Sequence, residues 1–412
     1  MDAAKEQRFD LFISGGHVID PAKELSAPMD MGIAGGLIAA LLPPGTPCKA
    51  RKVIDAKGLY VIPGLIDMHC HIYPRFPVEA DGLPNVNAEA HMFAAGVTTA
   101  VDAGTCGWRD FARFKQDVID RSPLRILSFI NIASGGMVNL TSEQTPADFH
   151  PKIAAAILET FPQLIVGIKA AHYWGDKPFD EAHPPWASVD AALEAAELCG
   201  GKIMVDFKPN PPECSYQDLV LKKMRPGDIH THMYAQQFPI LDENGKVNRF
   251  LFEARERGIH FDLGHGAGSF WFRNAVPALE QCFYPDTLSS DLYMGNVRGP
   301  VINLLHIMSK YASMGMKLEE VIARATILPA RAVGHPELGS LDAGSCADIA
   351  LVQKIDGPTS FADCGNARMA GNTRLQCALT LRAGQVMYDP SGLSMPDWRT
   401  APEAYWTSPG VL

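Results

Sequence analysis

The chain has 412 residues, 47% hydrophobic and 20% charged, with a net charge of −10 and a sequence pI near 5.7. That balance suits a well-packed soluble enzyme and lacks the basic footprint of a nucleic-acid binder. It also argues against a protein that sits on an anionic membrane. The length accommodates a barrel of about 250 residues plus an accessory module.

The opening "MDAAKEQRFD" is charged and lacks the apolar stretch of a signal peptide. No run approaches the roughly 18–20 apolar residues of a membrane span. Nine scattered cysteines without a C-x-x-C read as free thiols in a reducing cytoplasm.

Residues 10 to 60 read as short strands with tight turns. "DLFISGGHVID" and "MDMGIAGGLIAALL" are apolar runs punctuated by glycine pairs, "PPGTP" breaks the chain, and "RKVIDAKGLYVIPG" is strand, turn and strand. From about residue 61, short apolar strands alternate with helical stretches such as "VDAALEAAELCGG". Seven strand candidates follow the one that carries His69 and His71: 96–104, 125–134, 164–172, 202–207, 228–234, 259–266 and 286–293. Eight strands alternating with helices favour a (β/α)8 TIM barrel. A doubly wound open sheet is the structural alternative, but no G-x-G-x-x-G follows the first strand. After a late helix pair at 317–334, "ELGSLDAGSCADIALVQ" and "LQCALTLRAGQVMYD" return to strands and turns. The predicted organisation is therefore a composite β-sandwich from segments 1–62 and 337–412, flanking a barrel over 63–336.

Active-site residues of such barrels sit at the C-terminal strand ends. Strand one delivers His69 and His71, which alternation puts on one face. Strand four gives Lys169 and strand five Asp206. Strand six gives His232, with His230 expected on the same face. Strand seven gives Asp262 and His265, and strand eight Asp291. Singly, each has a plain reading: a core histidine, a snorkelling lysine, an aspartate that caps a helix. In this order, one ligand or base per strand end points to a metal. His17 and His91 lie outside the pattern.

"VIPGLIDMHCHIYP", "VGIKAAH", "GDIHTHMY", "DLGHGAGSF" and "PDTLSSDLY" resemble the amidohydrolase superfamily, in its dihydroorotase-like deacetylase branch. The resemblance implies that His69, His71 and Asp291 hold one divalent ion. It implies that Lys169, carboxylated by CO2, bridges to a second ion that His232 also ligates. Zn2+ is the expected metal, as one or two ions per chain, because imidazole and carboxylate suit it. An ammonium group cannot ligate, so a lysine there requires modification or deprotonation.

The implied activity is hydrolysis of a non-peptide C–N bond, in an amide or cyclic amide, by a metal-activated water. Asp291 acts as general base and then acid. A metal-dependent lyase, isomerase or decarboxylase on the same scaffold, or a non-catalytic relative, is the alternative. Two positions depart from the pattern. Asp206 stands where a strand-five histidine is common. Tyr73 stands where dihydroorotases carry an arginine, the first arginine being Arg75, so dihydroorotase activity is not expected. His172, Tyr173, Trp174 and His265 are expected to line the pocket and suggest an apolar or ring-bearing small-molecule substrate. The glycine pair of "NIASGGM" permits a close backbone approach, and the aromatic tail could pack on the barrel or a neighbouring subunit of a homo-oligomer.

Overall fold

The computed structural model describes residues 8–74, 85–174 and 178–403. Arg75 and the last residues of the aromatic tail fall outside them. Two sheets organise the chain. The first gathers β1 (Arg8–Asp20), β2 (Leu25–Ala34), β3 (Leu37–Leu42), β4 (Lys49–Asp55) and β5 (Tyr60–Pro63). The second is built from β6 (Leu65–Cys70), β7 (Val97–Gly107), β8 (Arg125–Asn131), β9 (Ile165–His172), β10 (Ile203–Phe207), β11 (Ile229–His230) and β12 (His260–Phe261). The chain then returns to the first sheet with β13 (Ile349–Ala362), β14 (Arg368–Arg382) and β15 (Gln385–Tyr388).

The seven strands β6 to β12 lie side by side in chain order and all pair in parallel. Helices such as Pro151–Thr160, Ala187–Cys199 and Arg249–Glu256 separate successive strands. Such parallel strands are covered on both faces, so they read as continuous apolar runs; every residue of β7 and β9 is buried. The expected eighth strand at 286–293 forms only isolated parallel bridges, Asp262↔Thr287 on one side and Cys70↔Leu292 on the other. Backbone bonds nevertheless run from Leu263 to Thr287 O (3.0 Å) and from His71 to Leu292 O (3.0 Å).

The late strands are shorter than predicted for a shared reason. His232 (φ 65°) and Asp291 (φ 49°) adopt left-handed backbone conformations, as do Gly264 and Gly266. Outside glycine that conformation is uncommon and tends to occur where a site demands it. Here it breaks the extended ladder at residues whose side chains must turn inward.

The accessory sheet runs β15-β14-β13-β5-β1-β2-β3, with β4 branching from β1. It is one branched eight-stranded sheet. Its N- and C-terminal parts join where β5 pairs antiparallel with β13, Pro63 opposite Ile349 and Tyr60 opposite Val352. Ile13, Val18, Ile33, Ile54, Val61, Leu351 and Leu379 are among the residues of its own apolar core. Gly64 separates β5 from β6, and a Cβ there would lie 2.1 Å from the Thr98 hydroxyl.

Candidate metal centre

His69 and His71 end β6 on one face, as alternation requires. Both are about 1% exposed. With Asp291 they offer three ligand atoms within 4.8 Å of one another. The Nε2 atom of His71 lies 2.8 Å from Asp291 Oδ1, and that of His69 3.6 Å away.

Threonines fix the other ring nitrogens. Thr231 donates its hydroxyl to Asp262 Oδ2 (2.8 Å), so it can only accept from His69 Nδ1, 2.9 Å away. The proton of a neutral His69 therefore sits on Nδ1 and the Nε2 lone pair faces Asp291. Burial, aided by Lys169, lowers the His69 pKa to about 4, which keeps it neutral. His71 Nδ1 meets the Thr105 hydroxyl at 2.8 Å. Asp262 also accepts from Thr287 (2.7 Å) and Ser289 (2.7 Å). Burial would raise its pKa, but these bonds and His69 pull it down to about 2.

Asp67, the residue that leads into the histidine pair, holds the strand opposite. It accepts from the Ser290 amide (3.0 Å) and the Ser290 hydroxyl, next to Asp291. Burial raises its pKa to about 7, against these bonds. Asp102 gathers the amides of Ile72 (3.0 Å), Tyr73 (3.1 Å) and Thr105 (2.9 Å), which fixes the turn after the histidines. Gly266 lies against Asp291: a Cβ there would sit 2.3 Å from Oδ2.

A second group faces the first. Lys169, fully buried, has no hydrogen-bond partner for Nζ among the described residues. Its nearest carboxylate oxygen is Asp206 Oδ2, 3.9 Å away. His232 Nε2 lies 3.1 Å from that same oxygen, and its Nδ1 bonds Gly264 O at 2.6 Å. Burial opposes the charge on His232, but Asp206 overrides it and lifts its pKa to about 9. The Tyr173 hydroxyl donates to Asp206 Oδ1. The two groups touch through the His69 and His232 rings, whose centroids are 5.0 Å apart.

Several expected residues lie elsewhere. Lys169, Ala171 and Tyr173 share the inner face of β9 and its extension, so His172 and Trp174 alternate outward. His172 bonds Ser188 (3.0 Å) and stacks on Phe207 and Trp186; Trp174 stacks on His183. His230 does not share a face with His232. It packs among Tyr216, Phe238 and Phe261, while the positive φ at His232 turns that ring inward. His265 points away, its Nε2 2.7 Å from Lys310 Nζ. Tyr73 packs on Phe114.

The cavity above both groups, about 220 Å3, is lined by His71, Tyr173, Asp206, His232 and Asp291 together with residues the sequence did not single out: Met137, Leu140, Glu143 and Tyr293. Glu143 is buried and accepts from Asn131 (2.7 Å). Thr231 carried no sequence signal, because with His230 and His232 read as facing the site, alternation sends the residue between them to the other face. Loop residues such as Leu140 carried no periodic signal.

Residues 272–386 match the model of the Amidohydrolase family. A deacetylase of Brucella anthropi is 30% identical over 331 residues, 75% of each chain. The chain belongs to the amidohydrolase family. A deacetylase of Enterococcus faecalis is 26% identical over 384 residues, covering 92% of this chain and 99% of the relative. Among solved structures, one titled as an adenine deaminase superposes with a TM-score of 0.81 at 25% identity, covering 92% of this chain and all of that one. As an amidohydrolase, the protein is a metal-dependent enzyme that hydrolyses C–N bonds. No helix among the described residues is long and apolar enough to cross a membrane.

Proposed function

We propose that the protein is a zinc-dependent deacetylase of a small N-acetyl amide, with a carboxylated Lys169 at its centre. The observation that carries this is the Lys169 amine, fully buried without a hydrogen-bond partner and facing Asp206. A buried polar group left unpaired is costly. As a carbamate the same side chain becomes an anion suited to two cations, and His69, His71 and Asp291 on one side and Asp206 and His232 on the other would hold them. The donor set of imidazole and carboxylate fits Zn2+. When bound, the metal polarises the amide carbonyl and makes water nucleophilic at neutral pH.

The chain's own residues do the rest. Asp291, with Oδ1 on His71 and Oδ2 against Gly266, takes the proton of the attacking water and returns it to the leaving nitrogen. The Thr231–Asp262 pair holds His69 in one tautomer. Tyr173 orients Asp206. The acetyl specificity rests on the names of the relatives.

This reading takes residues 63–336 as a closed eight-stranded barrel, supported by the bonds of segment 286–293 to both β12 and β6. Segments 1–62 and 337–412 form the accessory domain. A cytoplasmic setting is supported by the nine free cysteines. A homo-oligomer is supported by the exposed Met395 and Trp398, and light scattering tests it.

The deciding experiment is turnover of N-acetyl amides in 18O-water by protein with its metal content measured. Solvent oxygen should enter the acetate. Asp291→Asn should lower kcat by about 10²–10⁴-fold. Full activity in that variant, or product without solvent oxygen, would overturn the assignment.

A further inference from the structure

The cavity over the metal centre has two zones. One is the polar groups of the centre, and the other is a set of larger side chains, Met137, Leu140 and Tyr293, that line the same cavity. Leu140 is 51% exposed. Large apolar side chains in water at the mouth of a site mark where a ligand's apolar part is received.

These side chains are held in place. Gly136 (φ 71°) packs so closely that a Cβ would lie 2.3 Å from Thr105 O. The Met137 amide donates to that same oxygen at 3.2 Å. Thr105 in turn meets His71 through its hydroxyl. The loop that presents Met137 and Leu140 is therefore anchored on a residue that touches the metal-site histidine. Tyr293 follows Asp291 by two residues, and its ring lies 6.5 Å from that of His71. Asn296 fixes this turn by donating to Asp291 O (2.6 Å) and accepting from the Tyr293 amide (3.1 Å). The cavity of about 220 Å3 lies below the ~300 Å3 at which drug-sized ligand pockets begin, so the substrate is small.

Resting on the deacetylase reading, we propose that the leaving amine of the substrate carries a compact apolar substituent that packs against Met137, Leu140 and Tyr293. An acetyl group directed to the metal centre leaves the nitrogen substituent as the part that reaches these side chains. Each methylene it covers should be worth about three- to fourfold in kcat/KM.

The test compares N-methyl-, N-butyl- and N-(cyclohexylmethyl)acetamide, whose leaving amines have similar basicity, with the metal-loaded enzyme. kcat/KM should rise along the series, by roughly tenfold or more from first to last. Leu140→Ser and Met137→Ser should each compress that ratio by about threefold or more. Leu140 is exposed, so its substitution does not threaten the fold. A flat or falling series, or a ratio that neither variant changes, would overturn the inference while leaving the deacetylase reading intact. No turnover of any acetamide would overturn the deacetylase reading, and this inference with it.

Discussion

The two halves of the metal centre are prepared differently. In the His69–His71–Asp291 corner each imidazole has its outer nitrogen tied to a threonine, and burial keeps His69 neutral with a pKa of about 4. Its lone pair is ready for a cation. In the Lys169–Asp206–His232 corner Asp206 is paired with His232 and lifts it to about 9, while the Lys169 amine stands 3.9 Å from Asp206 without a hydrogen bond. A protonated imidazole has no lone pair to give. The first corner thus offers one unprotonated ring nitrogen, on His69, whereas on the proposed reading the second would have to lose a proton and gain CO2 before it could ligate. Loading should therefore be sequential.

The largest effect should come from the first corner. His71→Ala should drop activity to background and remove at least one metal equivalent, with the circular dichroism spectrum retained. Wild-type turnover by metal-depleted variant protein would break the comparison at its base.

Lys169→Ala tests the other corner. It should lose one metal equivalent and most activity, and propionate should restore part of both by standing in for the proposed carbamate. Retention of two ions without added acid would remove Lys169 from the site.

A smaller effect separates preparation from ligation. Thr231→Val keeps the shape but leaves His69 Nδ1 without its acceptor, and outer-shell losses of this kind cost about 10–100-fold in metal affinity or activity. An unchanged titration would mean that the threonine does not prepare the corner.

The smallest effect is a pH slope in the metal-free protein. His232 has a folded pKa of about 9 against ~6.5 when unfolded. Its contribution to stability is therefore complete below about pH 6.5 and lost as pH rises through about 9. The melting temperature of metal-free protein should fall across that window, and Asp206→Asn should flatten the slope. Identical slopes in both proteins would show that the two residues are not paired as described.

The parts of this site legible in the sequence are those governed by strand period. His69 with His71, and Lys169 with Tyr173, follow from alternation. The parallel strands β6 to β10 were visible as buried apolar runs. The readings of His230, His172, Trp174 and His265 did not hold, for two physical reasons. Alternation sends His172 and Trp174 outward once Lys169 is fixed inward. Beyond β11 and β12 the period itself fails, because His232, Gly264, Gly266 and Asp291 take positive φ. A reading based on extended chain cannot follow a side chain through such a turn. Asp102, Asp67 and Glu143 were missed as supports because their work is done on backbone amides, hydroxyls and an asparagine brought near only by the fold.

The junction of β5 with β13 also sets a clock. Tyr60–Pro63 is synthesised well before the strand that pairs with it, which begins at Ile349. At about 5–20 residues per second, the intervening chain takes roughly 15–60 s to appear. Until then one edge of the amino-terminal sheet has no partner, and an unpaired apolar edge is a template for the wrong chain. The nascent protein must be shielded through that interval, so its yield in a cell should respond to chaperone supply and to translation speed before it responds to anything at the metal centre.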